Sequence, residues 1–339
     1  MHTDLTGHRV SATMKMKRPD QDRYNIRVLD RAIDIVTLLA DGERRTLTEI
    51  SDAVALSSST TYRLLASLIS RHFVERHAES NSYKLGLACL ELAWAFRDGD
   101  PIRRLALPHL QALRDATAET VHLGVLHQTD VVYLEKLPGL HSVGIMSSQV
   151  GARFPAYCTG LGKALLAFSD VEHVRALLTL TPLVRFTDTT IVTLGDLMQH
   201  LAEGRQRGYV FDREEHEADI CCVAAPLVGR DGALVAAISV AGPASRLGPI
   251  EDNRPVINGV LAAACAISAA LGYRRSDWPP RLNERAPWSG HETVIHDRSN
   301  GKGVMTTNRR GARSTSRGII AGEGRGAVAS QFIDTTSSL

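Results

Sequence analysis

The sequence lacks any apolar run long enough to cross a membrane, and it opens without a secretory signal. No stretch approaches the roughly 20 consecutive apolar residues that a membrane-spanning helix needs. Residues 1–23 carry scattered charges and no apolar segment of the kind that a signal peptide contains. We therefore expect a cytoplasmic protein with no membrane partner.

Cysteine is scarce and shows no pairing pattern. The chain has 339 residues and five cysteines, none of them in a C-x-x-C motif. An odd number of scattered thiols favours reduced cysteines over a disulfide framework. The net charge of +2 neither requires nor excludes nucleic acid as a partner. The length suits about two domains, each with its own buried core.

Both ends of the chain are predicted to lack a folded core. We expect a flexible N-terminal tail at residues 1–23 and a disordered C-terminal tail at residues 275–339. The C-terminal stretch is rich in Gly, Ser, Thr, Arg and Pro and has no sustained apolar periodicity. Such a segment cannot bury enough apolar surface to offset the entropy lost on ordering. We interpret it as a solvated tail, with a nucleic-acid-contacting arm as the alternative.

Residues 24–86 predict three helices followed by a β-hairpin. Apolar residues at helical spacing mark the first helix, and Thr46 with Glu49 forms a capping-box pattern at the start of the second. After a joint at residues 55–57, a third helix begins with one apolar face and one hydroxyl-rich face. The stretch FVERHAESNSYKLG then reads as two strands around a polar turn. This order is typical of a winged helix-turn-helix.

The hydroxyl-rich face of the third helix holds the candidate DNA contacts. Hydroxyls and backbone N–H groups at a helix start can hold phosphates, while one arginine reaches a base edge in the major groove. Arg63 lies one turn into the helix, where it can reach a guanine or a phosphate. A module for protein–protein contacts is the alternative. The candidate DNA-binding residues are Ser57, Ser58, Ser59, Thr60, Tyr62, Arg63 and Ser67.

A linker helix is predicted at residues 87–100, and a second domain at residues 101–274. The linker carries more large apolar side chains than one narrow stripe would hold: Leu87, Leu90, Leu92, Trp94 and Phe96. This load favours a surface that packs on a partner, although a buried connector helix would have the same sequence. The second domain mixes helices, strands and hairpins, which predicts an α+β chain with a sheet domain at its C-terminal end.

Residues 211–227, FDREEHEADICCVAAPL, combine acidic residues, a histidine and two adjacent cysteines. Cys221 and Cys222 face opposite sides of a strand, so they cannot readily bind one metal together. A zinc site would need ligands from elsewhere, such as Cys158 or His173, and we predict neither a metal nor a cofactor. Three polar residues of this stretch are interpreted as a solvated loop: Glu214, Glu215 and His216.

The sequence contains no catalytic motif that we recognise, and we predict no enzyme and no catalytic residues. Residues 159–164 lack the first glycine of a phosphate-binding loop and the hydroxyl residue after its lysine. Neither G-x-S-x-G nor H-E-x-x-H occurs. The helix that opens at Gly160 is instead expected to offer free N–H groups and a positive dipole end to a carboxylate.

Residues 47–86 resemble the DNA-binding domain of the IclR family of bacterial transcriptional regulators. The matching features are a Ser/Thr-rich helix start, Tyr-Arg-Leu-Leu at 62–65 and Tyr-x-Leu-Gly at 83–86. Ala55 stands where the family often has glycine, which is tolerable if its φ is negative. The resemblance spans about residues 24–272. It implies a GAF-like effector-binding α/β domain and a linker helix that helps to pair two subunits.

The resemblance also implies a pocket for a small organic acid in the second domain. Family members that bind small oxo-acids have a second serine where this chain has Ala241. We therefore expect a carboxylate effector with a larger apolar body, unless Ala241 merely packs. Carried over residue by residue, the effector-binding positions are Gly160, Leu161, Asp212, Cys222 and Ser239.

The function implied is a ligand-responsive transcriptional regulator, repressor or activator, of a catabolic operon. Its expected partners are double-stranded DNA with a pseudo-palindromic operator and further copies of itself, as a homodimer or homotetramer. The alternative is a small-molecule-binding enzyme or sensor whose winged helix serves protein contacts.

Overall fold

The computed structural model describes residues 26–141 and 146–274. Both predicted tails, at residues 1–23 and 275–339, lie outside the described residues. Within the described ranges, no helix combines the length and the apolar character that a membrane crossing requires.

Three helices and a small sheet form the N-terminal part of the fold, and the winged helix-turn-helix prediction is confirmed. The elements are α1 Arg27–Leu38, β1 Arg45–Thr46, α2 Leu47–Ala53, α3 Ser58–Ser70, β2 Val74–His77 and β3 Ser82–Leu85. Strand β1, which the sequence did not predict, pairs with β3 and makes the wing three-stranded. Thr46 forms the predicted capping box with Glu49. The helices pack around Ile35, Ile50 and Leu65.

The turn between α2 and α3 does not meet the condition under which alanine would be tolerated there. Ala55 has a φ of +53°, in the left-handed region, and not a negative φ. The Leu56 N–H donates to Ser51 O at 3.0 Å, which ends α2 and directs the chain into α3. The Cβ atom of an alanine crowds the backbone in this region, at a cost of roughly 1 kcal/mol. The tight joint therefore contains a strained alanine.

The linker helix α4, Leu87–Gly99, buries none of its residues within the chain. Its five large apolar side chains are 55–67% exposed. The buried-connector alternative is therefore not what the structure shows. Helix α5, Pro101–Thr117, starts directly afterwards because Asp100 accepts a hydrogen bond from the Arg103 N–H at 3.0 Å and caps the helix.

The C-terminal part is a six-stranded antiparallel sheet with helices on both faces. The strands lie in the order β6-β5-β4-β9-β8-β7, and every neighbouring pair is antiparallel. The strands are β4 Thr120–His127, β5 Asp130–Leu137, β6 Arg153–Pro155, β7 Val210–Arg213, β8 Ile220–Val228 and β9 Leu234–Pro243. The helices are α6 Gly160–Ala167, α7 Val171–Thr179, α8 Leu194–Arg207, α9 Ala244–Leu247 and α10 Arg254–Ala270. The prediction of an α+β chain with a C-terminal α/β domain is confirmed.

The sheet separates two apolar cores. One core lies against α5 and α10, and the other lies against α6 and α8. Strand β8 contributes to both, because successive side chains of a strand point to opposite faces. Cys221 and Val223 belong to the first core, while Cys222 and Ala224 belong to the second. This confirms the predicted alternation along β8.

Candidate functional site

The exposed face of α3 carries the predicted DNA contacts, and their hydroxyls are not equivalent. Ser57 is the N-cap residue, and its Oγ accepts a hydrogen bond from the Thr60 N–H at 3.3 Å. The Ser67 hydroxyl donates to Arg63 O at 3.1 Å, within its own helix. Among the described residues, the side chains of Tyr62 and Arg63 have no hydrogen-bond partner, and both are exposed. These two side chains are therefore available to a partner.

A pocket opens on the side of the second sheet that faces α6. The empty space in it, counted out to its open mouth, is about 450 Å³. Ala241 lines it, as does Tyr133. The five residues predicted for the effector come from four segments of the chain, α6, β7, β8 and β9, and the fold places all of them on this pocket: Gly160, Leu161, Asp212, Cys222 and Ser239.

Gly160 lies at the tightest point of the pocket. A Cβ atom at this position would lie 2.5 Å from Cys222 Sγ and 3.5 Å from Asp212 Cβ. The first of these distances is far below a van der Waals contact, so glycine is required unless Cys222 moves. The backbone of α6 is thereby held directly against β7 and β8.

The start of α6 offers fewer free amides than the sequence suggested. Thr159 Oγ1 accepts a hydrogen bond from the Gly162 N–H at 3.2 Å. The Gly160 N–H donates to the Asp212 carboxyl group, which also accepts from the Glu215 N–H at 2.9 Å. In the first turn of α6, only the Leu161 N–H has no hydrogen-bond partner within residues 26–141 and 146–274. The sequence predicted several free N–H groups at the start of α6, and the structure leaves one, that of Leu161.

A buried ion pair lies behind the pocket and corrects the prediction of a solvated loop. Glu215 is only 2% exposed, and its Oε1 accepts a hydrogen bond from Nζ of Lys163, which is fully buried in α6. The Thr190 hydroxyl donates to Glu215 O at 2.6 Å and fixes the loop. His216 is also not simply solvated, because its ring packs against Phe154 with centroids 4.7 Å apart. The prediction failed because Lys163 lies 52 residues away along the chain.

The carboxyl group of Asp212 has an unusual electrostatic environment. Burial raises its pKa to about 7, while nearby Lys163 opposes the shift and Glu215 adds to it. The Lys163 ammonium is already paired with Glu215. Two carboxylates, those of Asp212 and Glu217, line the pocket, and among its described lining residues there is no lysine or arginine.

The sequence did not identify the aromatic and imidazole part of the pocket. His122 on β4 lies opposite Ser239 on β9, and His122 Nδ1 is 3.4 Å from Ser239 Oγ. Its Nε2 is 3.0 Å from Ser148 Oγ, and burial lowers the pKa of the ring to about 3, so the ring is neutral. The Tyr133 ring is 5.2 Å from His122 and 5.7 Å from Phe154, edge to face. Strand register brings these residues together, and the linear sequence contains no signal for it.

The thiols beside the pocket are not metal ligands in this arrangement. No group of three or more His, Cys, Asp or Glu side chains within the described ranges could hold a metal ion. Cys158, considered as an imported zinc ligand, donates weakly to Pro155 O at 3.6 Å. Burial raises the pKa of the Cys222 thiol far above its ordinary value, so the thiol stays protonated and unreactive. Cys222 therefore acts as a small packing group.

A winged helix-turn-helix joined to an α/β domain with a pocket is the architecture of a DNA-binding regulator with a candidate ligand site. Residues 28–78 match the IclR helix-turn-helix domain. Residues 97–269 match the domain described as bacterial transcriptional regulator IclR C-terminal. The chain belongs to the IclR family of bacterial transcriptional regulators.

Individual relatives are similar to this chain in sequence or structure over most of its length. The HTH-type transcriptional regulator KdgR of Dickeya chrysanthemi is 33% identical over 273 residues, which cover 80% of this chain and 88% of KdgR. The crystal structure of Thermotoga maritima IclR matches with a TM-score of 0.60 and 30% identity, covering 74% of this chain and 100% of that one. An IclR homologue from Microbacterium hydrocarbonoxydans, complexed with 4-hydroxybenzoate, matches with a TM-score of 0.63 and 27% identity over 72% of this chain and 98% of that one.

The relatives are named as transcriptional regulators and repressors, and not as enzymes. Together with the family membership, this makes the chain an HTH-type transcriptional regulator that binds DNA through its N-terminal domain.

Proposed function

We propose that this regulator controls a catabolic operon as a repressor or activator whose DNA binding responds to a small organic acid. The observation that carries the proposal is the convergence of five separate residues on one pocket next to the start of α6. Family membership supports the DNA-binding part of this proposal. The pocket supports the part in which DNA binding responds to a ligand.

The DNA-binding step is assigned to the exposed face of α3. Arg63 is exposed and unpaired among the described residues, so its guanidinium is free to form a bidentate contact with a guanine edge. Tyr62 and Ser58 lie on the same exposed face and are suited to phosphate contacts. Ser57, by contrast, is proposed to act through the helix cap that it forms.

The proposed oligomer is built on α4. Five large apolar side chains exposed along one helix would be costly in a monomer, because such a surface is more favourable when it is removed from water. We assign it to a second copy of the chain, in a homodimer or a dimer of dimers. A symmetric dimer presents two recognition helices, which suits a pseudo-palindromic operator.

The effector is proposed to be a carboxylic acid with an apolar body, such as an aromatic acid. The Leu161 N–H at the positive end of α6 and the Ser239 hydroxyl can bind its carboxylate. Tyr133 and Phe154 provide an aromatic wall. Ala241 provides apolar surface where a second hydroxyl would favour smaller oxo-acids. A structural relative bound to 4-hydroxybenzoate supports this class of ligand.

Regulation is proposed to follow from linkage between the two sites. If the effector binds one arrangement of the dimer more tightly, the population shifts toward that arrangement, and the affinity for DNA changes by the same coupling free energy. The spacing of the two α3 helices would then match or mismatch successive major grooves.

Fluorescence anisotropy with the intergenic DNA beside the gene tests the DNA-binding step. We expect binding that weakens as salt is raised and that exceeds binding to unrelated DNA. Arg63→Ala should weaken specific binding about 10- to 100-fold and relax base preference. Arg71→Ala, at the far end of α3, is the matched control with a smaller expected loss. Unchanged specificity in Arg63→Ala would remove Arg63 from base reading.

Calorimetry with a panel of acids tests the effector assignment. Benzoate, 4-hydroxybenzoate and phenylacetate should bind more tightly than glyoxylate or pyruvate. Ser239→Ala should weaken the binding of every acid in the panel, because it removes a buried hydrogen-bond donor. Tighter binding of pyruvate or glyoxylate than of every aromatic acid would contradict the assignment.

A further inference from the structure

Three ionisable groups are buried together at the start of α6, and only one of them is a cation. Lys163 is fully buried, and Glu215 and Asp212 are nearly so. Lys163 pairs with Glu215, which leaves the Asp212 carboxyl group with hydrogen bonds from two backbone N–H groups and no cation of its own. The cluster is therefore electrically neutral when Asp212 is protonated and carries one negative charge when it is ionised.

A carboxylate ligand would meet this cluster directly. The free Leu161 N–H lies one residue after Gly160, whose own N–H donates to Asp212. A ligand carboxylate bound at the start of α6 therefore lies beside the Asp212 carboxyl group. Two adjacent ionised carboxylates in a buried site repel each other strongly, and one of them is then protonated. No lysine or arginine is among the described lining residues: Lys163 is paired with Glu215, and Lys136 Nζ donates to Met146 O and Ser148 O beside the pocket.

We propose that the effector is a carboxylic acid that binds together with one proton, held between the effector carboxylate and the carboxyl group of Asp212. This inference rests on the proposed function and names the chemistry of the same pocket. The proton comes from solvent and forms an O–H bond with one of the two carboxylates, and no other covalent bond forms or breaks. Asp212 thereby becomes a hydrogen-bond donor to the effector and selects for a group that can share a proton.

Asp212 changes charge near neutral pH. The ionisable groups packed around it are Lys163 on α6, Glu215 on the β7–β8 loop, Cys221 and Cys222 on β8, Tyr133 on β5 and Cys158 before α6, and His122, His216 and Glu217 line the same pocket. Burial raises the pKa values of Tyr133, Cys158 and Cys222 above their ordinary values, so all three stay neutral. Burial also raises the pKa of Asp212 to about 7, which lowers the cost of its protonation in the ligand-bound state.

Isothermal titration calorimetry measures the proton directly. Benzoate and 4-hydroxybenzoate are titrated at pH 8.5 into the full chain in two buffers of different ionisation enthalpy. We expect about one proton taken up per acid bound, and an affinity that falls about tenfold between pH 7.5 and 8.5. Asp212→Asn is neutral and isosteric, so it should take up no proton and bind at least about tenfold more tightly than the natural chain at pH 8.5.

Asp130→Asn is the matched control, because Asp130 is a partly buried aspartate of the same domain outside the pocket. Its proton count should equal that of the natural chain. Binding of either acid without proton uptake would overturn the inference while leaving the acid effector in place. If 4-hydroxybenzoate binds without proton uptake and benzoate does not, the hydroxyl of 4-hydroxybenzoate donates to an ionised Asp212. Failure of every acid in the panel to bind would instead remove the proposed effector class, and the inference with it. If Asp212→Asn does not fold, the number of protons that the natural chain takes up per acid bound still tests the inference.

Discussion

Arg97, in the last turn of α4, donates hydrogen bonds to both carboxylate oxygens of Glu135 on β5, each at 3.1 Å. Arg103 Nε on α5 donates to the same carboxylate at 2.6 Å. Because α4 buries none of its residues within the chain, this three-residue cluster ties the linker helix to the sheet that also bears the pocket.

Loss of the Glu135 charge should loosen α4. In Glu135→Gln, Arg97 and Arg103 lose their shared anion, and we expect faster amide hydrogen exchange along residues 87–99, measured by mass spectrometry. Glu119→Gln is the matched control. The side chains of Glu119 and Glu135 are both 5% exposed, but the partner of Glu119 is Arg246. Equal acceleration of α4 in both variants would show that Glu135 has no special role there.

The strained turn before α3 predicts a stabilising substitution. Ala55 has a positive φ, and glycine adopts that conformation without steric cost, so Ala55→Gly should raise the free energy of unfolding by up to about 1 kcal/mol. Urea denaturation of the full chain measures the change. Ala66→Gly, in the middle of α3, should lower it by about 0.5–1 kcal/mol. A destabilised Ala55→Gly would mean that entropy in the unfolded chain outweighs the relief of strain.

The contact between Gly160 and Cys222 predicts a clash that a second substitution relieves. Gly160→Ala places a methyl group 2.5 Å from Cys222 Sγ, and we expect a loss of about 1–3 kcal/mol of stability together with weaker acid binding. Cys222→Ala removes the sulfur, so the double variant should recover most of the loss. A double-mutant cycle read by thermal unfolding and calorimetry measures this coupling. Strictly additive losses would contradict the close contact.

Buried neutral histidines predict a loss of stability in acid. Burial lowers the pKa values of His122 and His200 to about 3, below the ordinary value of 6.5. Between pH 6.5 and 3 the unfolded chain binds protons that the folded chain does not, so stability falls as the pH falls. Each histidine contributes about 1.4 kcal/mol per pH unit in that window.

His200→Gln should reduce the slope of unfolding free energy against pH by one histidine's share, measured by urea denaturation between pH 6.5 and 4.5. His141→Gln, at an exposed position, serves as the control. An unchanged slope in His200→Gln would place its titration at the ordinary value.

Local patterns predicted most of the elements, and distant contacts account for what was missed. The capping box at Thr46 and the alternation along β8 depend on neighbours in the chain, so the sequence reveals them. The role of Glu215 depends on Lys163, which reaches it only after α6 packs against the sheet. The opposition of His122 and Ser239 depends on strand register, which residue spacing does not determine. The pocket positions themselves came from family resemblance and not from spacing.

Strand β8 also limits how this protein tolerates insertions and deletions. Cys221 and Cys222 are adjacent, yet they belong to cores on opposite sides of the sheet. Removing one residue from the strand would turn every side chain beyond that point to the other face, so that large and small groups would exchange cores. Changes of length are therefore confined to the loops at either end, even where the strand tolerates a change of residue type.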